Sequence, residues 1–123
     1  MLDWLRRLAR QRRETREIAA LEPRVFADMG VSRDQALNLV QMPEAVTDRV
    51  QAMGHVYGLE AAALEGDRAE WVQMVETCAQ CRNIPQCHRF LRQDGHPAPN
   101  GAGFCPNREV FAGLAARPVR QAA

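Results

Sequence analysis

Apolar residues recur along this chain at helical spacing, and no stretch alternates as a half-buried strand would. Residues 2–21 predict a first helix, with Leu2, Trp4, Leu5, Leu8 and Ala9 on one face and Arg6, Arg7 and Arg10 largely off it. The apolar pattern then stops, since residues 10–17 contain no apolar side chain. Two turns of that kind predict a solvated helix, held partly by Arg10–Glu14 and Arg13–Glu17 pairs. Only the first two turns then have an apolar face to pack.

Residues 22–41 predict two short helices. Gly30 ends the first as a left-handed cap, and Ser32 opens the second with Gln35 completing a capping box. Pro43 suits the first turn of the next helix, whose stripe is Val46, Val50 and Met53, followed by Val56 and Tyr57, with Gly58 as its stop. Leu59 to Glu65 predicts a short helix ended by Gly66. Asp67 caps another, with Glu70 at its third position and Trp71, Val72, Val75, Cys78 and Ala79 on one face. Met42, Met53 and Met74 read as core fillers and His55 as a surface or boundary residue. The expected fold is all-α, a small bundle of five or six short helices behind an Arg-rich helical arm. The expected division is an arm and helical pair over 1–41, a helical domain over 42–116 and a tail over 117–123.

Charge sharpens this division. Sixteen Arg and no Lys oppose fifteen acids. Residues 1–16 carry +4, residues 17–76 carry −7 and residues 77–123 carry +4. A basic arm with Arg6, Arg7, Arg10, Arg12, Arg13 and Arg16 points to an anionic partner. RNA or another nucleic acid contacting residues 4–17 is the first expectation, with an acidic protein also considered. Docking on a membrane surface through Trp4 and the leucines ranks below these. The second helix of the 22–41 pair lacks the basic or amide-rich face of a base-reading helix beyond Arg33, Gln35 and Asn38. No apolar run suffices to span a bilayer and the N-terminus has no signal-like apolar region, so a cytoplasmic protein is expected.

The most specific chemistry lies in Cys78, Cys81, Cys87 and Cys105, spaced C-x2-C, then five residues, then seventeen. These are all the cysteines of the chain. In a reducing compartment such a set favours metal ligation over disulfides. Cys78 and Cys81 leave one helix, Pro85 opens the next with Cys87 in its first turn, and Gly95 caps that helix after Phe90 and Leu91. The Gly/Pro loop 95–104 returns the chain so that Cys105-Pro106 closes the site, and Asn107 caps a last helix bearing Val110, Phe111 and Leu114. Backbone N–H groups at these helix ends and loops are available to the sulfurs. The expected ligand is a [4Fe–4S] cluster, with Zn²⁺ as the alternative. For zinc, His88 or His96 is an alternative ligand in place of one cysteine. Free or paired thiols are the remaining option.

Four resemblances add to this. Trp4 to Ala36, through WLRRLARQRRETREIAAL and the segment Ala27-Asp28-Met29-Gly30-Val31-Ser32-Arg33, resembles the small arginine-rich YjiS-like proteins of bacteria. Members of that family have no established enzymatic activity, and the resemblance implies a link to RNA-associated regulation and to stress or nutrient responses. The C-x2-C-x5-C spacing with a distant fourth cysteine is similar to the cluster sites of helix-hairpin-helix DNA glycosylases and RecB-type nucleases, in ligand spacing only. Cys105-Pro106 resembles the last ligand of bacterial ferredoxin clusters. Finally, residues 42–114, ending in Phe104-Cys105-Pro106-Asn107 before a short helix, resemble an uncharacterised four-cysteine domain of alphaproteobacteria, which implies a shared site and no known activity.

The chain has no P-loop, no G-x-G-x-x-G and no G-x-S-x-G. Cys87 and His88 are adjacent on a helix and point about 100° apart, so they form no ready nucleophile pair. The expected function is therefore non-enzymatic: a small regulatory or adaptor protein with a four-cysteine site and an anion-binding arm. The alternatives are a small iron–sulfur redox protein and a zinc-stapled structural adaptor.

Overall fold

The structure is a computed structural model, and it describes residues 2–117. Eight α-helices and one short 3-10 turn follow one another, with no strand among the described residues. They are α1 (Leu2–Ala19), α2 (Pro23–Met29), α3 (Arg33–Gln41), α4 (Glu44–Val56), α5 (Ala61–Glu65), α6 (Arg68–Ala79), α7 (Ile84–Leu91) and α8 (Arg108–Ala116), with the 3-10 turn at Pro99–Gly101. The fold is all-α, as the periodicity predicts.

Local chemistry sets most of the boundaries. Pro23 sits at the start of α2, where its missing N–H costs nothing. Gly30 closes that helix at φ +75°, donating to Ala27 O, while Val31 N–H reaches Phe26 O at 3.2 Å. This is a Schellman cap, and Phe26 and Val31 bury together in its accompanying apolar contact. Ser32 Oγ accepts from Gln35 N at 3.0 Å and Gln35 Oε1 accepts from Ser32 N at 2.9 Å, which completes the capping box of α3. Asp67 Oδ1 accepts from Glu70 N at 3.1 Å at the head of α6. Pro43 lies one residue before α4, as its N-cap. Gly58 turns the chain after α4 at φ +78°.

α6 is the central element. Trp71, Val72, Met74, Val75 and Cys78 are all buried, while Ala79 at its end is exposed. It packs against α3, α4 and α5. The main core joins α4, α5, α6, α7 and α8 around Val50, Met53, Leu64, Val75, Phe90 and Phe111. A second, smaller cluster seats Phe26, Val31 and Ala36 on Val72 of α6. The α2–α3 pair thus shares a helix with the cysteine-bearing part. Of the predicted 117–123 tail, only Arg117 is described, with Nη2 3.2 Å from Glu70 Oε2.

α4 and α5 approach closely at Gly54, where a Cβ would lie 2.8 Å and 2.9 Å from the two Leu64 methyls. Leu64 is buried, so its side chain would have to shift within the core. Gly54→Ala is therefore expected to cost about 1–3 kcal/mol through overpacking, despite alanine's better helix propensity. Gly113→Ala in α8 meets nothing within 4 Å and is expected to be neutral or stabilising. Urea unfolding of both variants checks this contrast in sign.

The arm differs from its prediction. α1 packs on α3 through its second half, where Gln11, Thr15 and Ile18 are half-buried. Gln11 Nε2 donates to Val40 O at 3.1 Å, and Arg10 pairs with Glu44 at 3.2 Å rather than with Glu14. The segment without apolar residues is thus docked, because Gln11 satisfies a carbonyl near the end of α3, Arg10 reaches Glu44 at the start of α4, and Ile18 just beyond packs against the smaller cluster. The apolar face of the first two turns is left bare, with Leu2 65%, Trp4 54% and Leu5 47% exposed.

Candidate metal centre

Each cysteine is placed by a helix end or a turn. Cys78 lies in the last turn of α6, and Cys81 follows it, with Cys81 N–H donating to Cys78 O at 3.1 Å. Pro85 near the start of α7 puts Cys87 in its first turn, where Cys87 N–H donates to Asn83 O at 2.9 Å. The loop after α7 returns through the 3-10 turn, and Cys105 N–H donates to Ala102 O at 3.0 Å. Gly101 has to be small there, since a Cβ would lie 2.9 Å from the Phe90 ring.

All four cysteines are free thiols, and all four line one cavity between α4, α6, α7 and the start of α8. Val50, Met53, Phe104 and Phe111 form the apolar part of its wall, and Arg49 and Asn107 the polar part. The cavity is small, about 20 Å³, which is room for about one water molecule. Cys78, Cys87 and Cys105 are buried, whereas Cys81 is half-buried. Among the described residues, no three Cys, His, Asp or Glu side chains stand together so as to hold a single metal ion. The sequence spacing therefore foretells the convergence of the thiols, but not their gathering to single-ion distances.

Two turns of the same form carry Cys81 and Cys105. In Cys81-Arg82-Asn83, the Asn83 N–H donates to Cys81 Sγ at 3.3 Å. In Cys105-Pro106-Asn107, the Asn107 backbone N–H stands near the Cys105 sulfur and favours its thiolate. Both asparagine side chains then tie the turns together. Asn83 Nδ2 donates to Phe104 O at 2.9 Å, beside Cys105. Asn107 Nδ2 donates to Met74 O at 2.9 Å, one turn before Cys78. Asn107 is the buried polar residue of the core, at 4% exposure, and this bond satisfies its amide. Such amide–sulfur bonds fix thiolates and temper their charge, as the outer shell of a metal site does.

Electrostatics resists four bare thiolates. Burial, then repulsion from Cys105 and Cys78, pushes the Cys87 thiol up to about 11, with Arg49 opposing. Burial likewise raises Cys78, where the Arg49 guanidinium opposes, and Cys105, where the Asn107 amide opposes. The sign for the metal-free protein follows. Cys87 contributes stability in full below its ordinary value of 9.0, and loses it as pH rises through about 11, because the unfolded chain gives up its proton first. Denaturant midpoints of metal-free protein are expected to fall across that interval, and Cys87→Ala to flatten the fall. A bound cation reverses the preference, since the ligands bind it as thiolates.

The two histidines stand elsewhere. His88 is exposed on α7 and His96 is exposed in the returning loop, and neither lines the cysteine cavity. His96 instead borders a separate open cleft with His55 and Leu91. His55 is exposed and lies 3.7 Å from Glu60. Arg6, Arg7, Arg10, Arg12, Arg13 and Arg16 are all exposed along α1, away from the thiols. Sequence reasoning passed over Arg49 and Asn83 and read Asn107 as the cap of α8, whereas its side chain makes no cap bond and donates to Met74 O instead. The repeated Cys-x-Asn was the signal for the asparagines. Arg49 carried none, since it sits between the apolar positions of α4 like any surface residue.

A family of unknown function, DUF6455, matches residues 37–117, well over half of the chain, and the chain belongs to that family. The match begins inside α3, five residues ahead of the domain start expected at 42, and ends at Arg117. It does not extend to α1, where the resemblance to YjiS-like proteins is not shown. No curated protein and no solved structure matches the chain. Among the described residues, no helix is long and apolar enough to cross a membrane.

Proposed function

We propose that this chain is a small, non-enzymatic binding module in which Cys78, Cys81, Cys87 and Cys105 hold a [4Fe–4S] cluster and the Arg-rich α1 docks on an anionic partner. The observation that carries the reading is the convergence of four free thiols on one cavity wall, from three segments spanning residues 78–105. The donor set fits the group: soft sulfur ligands, with backbone amides beside two of them and Arg49 at the wall to offset negative charge. The spacing C-x2-C-x5-C with a distant fourth cysteine favours a cluster over Zn²⁺.

Bound there, a cluster supplies a one-electron couple and a staple for the fold. The chain's own residues do the rest. The Asn83 and Asn107 turns orient two sulfurs, and Val50, Met53 and Phe111 keep water from the inner side. Cys81, half-buried, leaves the outer edge accessible to oxidants or electron partners. Loss of the cluster would release the Cys78–Cys105 segment and alter partner binding, which makes the module a regulatory one.

The test is an absorbance spectrum with metal and sulfide analysis of protein purified without oxygen. A brown sample with iron and sulfide in equal amounts is expected. A colourless sample with one zinc per chain would replace the cluster by the zinc-stapled adaptor. Protein free of both metals would overturn the site.

A further inference from the structure

We infer that the N-terminal half of α1 is an anchor for an anionic lipid surface. This deepens the anionic-partner part of the proposed function and is independent of what the cysteines hold. Leu2, Trp4, Leu5 and Leu8 are all exposed, at 65%, 54%, 47% and 36%. They lie on one side of the helix, and Arg6, Arg7 and Arg10 lie on the other, with Asp3 as the acid of these two turns. α1 holds the body of the protein through Gln11, Thr15 and Ile18, so residues 2–9 project beyond the α3 contact by roughly 12 Å.

The combination of the two faces selects the partner. A nucleic acid would satisfy the arginines and leave Trp4 and the leucines in water. An apolar groove on a protein would take the leucines and leave the arginines without anions. A bilayer bearing anionic headgroups takes both at once, with the apolar face at the acyl boundary and the guanidinium groups among phosphates. Trp4 has the amphipathic ring suited to that depth. α1 contributes no buried residue to the core, so lying on a surface requires no unfolding. This ranks the lipid surface, which the charge pattern alone places behind RNA, ahead of it.

The experiment uses the full chain and vesicles of phosphatidylcholine alone or with phosphatidylglycerol, read by cosedimentation at low and high salt. Binding is expected only with the anionic lipid and is expected to weaken with salt. Arg6→Gln and Arg7→Gln should each cost roughly fivefold in affinity. Leu5→Ser and Leu8→Ser should each cost roughly tenfold or more. On vesicles, Trp4 emission should shift to the blue and become shielded from acrylamide, while Trp71, 3% exposed, is shielded already. Circular dichroism and metal content of the variants should match the parent. Failure to bind anionic vesicles would overturn the anchor. So would RNA binding indifferent to Leu5→Ser, or self-association that Leu5→Ser abolishes without vesicle binding. Vesicle binding by a metal-free chain would uphold the anchor and sink only the cluster.

Discussion

Cys105→Ser is expected to leave the protein without bound metal, and Cys78→Ser, Cys81→Ser and Cys87→Ser are expected to do the same. A serine hydroxyl is a poor donor to a soft metal, and a four-ligand site that loses one ligand loses a large part of a binding free energy of order 10 kcal/mol. Cys105 should be the most sensitive. It is buried, receives the Asn107 amide and joins the returning loop to α8, so both its ligand and its position are lost. Asn83→Ala and Asn107→Ala should be milder, lowering metal affinity about 10–100-fold. His88→Ala and His96→Ala should change nothing, since neither side chain reaches the cavity. Iron, zinc and sulfide per chain, measured across the eight proteins and the parent, checks the whole series. Full metal content in any one cysteine variant would remove that residue from the ligand set. Depletion in a histidine variant would return zinc with mixed ligands to consideration.

The features legible in the sequence are those decided within a few residues. The Gly30 cap, the Ser32–Gln35 box and the Asp67 cap each depend on one short hydrogen-bonded turn, and each forms where the residue types place it. The convergence of the cysteines was legible for a related reason. Pro85 marks where α7 begins, and the Gly/Pro loop is suited to turning the chain back toward α6. The docking of α1 was not legible, because the apolar stripe pointed to its first two turns while the contact is made by Arg10, Gln11 and Ile18, whose partners lie in distant parts of the sequence. The histidines misled for a geometric reason. A good ligand type says nothing of direction, and a residue beside Cys87 on a helix points away from whatever Cys87 faces. The asparagine clasp was hidden because Asn in a loop reads as a turn former. Only tertiary structure shows Asn107 buried against Met74 O.

Phe111→Ala is expected to lower stability by about 3–5 kcal/mol, a large share of the roughly 5–15 kcal/mol that holds a domain of this size. Phe111 is 1% exposed and stacks on Tyr57 with ring centroids 5.3 Å apart. It also lines the cysteine cavity, so truncation would open that cavity from below, next to Cys105. The void could not close easily. α8 is fixed at its head by the buried Asn107, and the facing residues Val50 and Met53 belong to the main core. Phe111→Leu keeps more of the volume and should cost less. The measurement is urea unfolding with and without the metal. A ligand that binds only the folded chain adds stability by mass action, so the loaded variant should recover part of the loss if it still binds. Equal losses in loaded and metal-free protein would mean that Phe111 supports the fold alone. A larger loss in the loaded protein would mean that the same ring also holds Cys105 in its binding position, and would couple the core to the site.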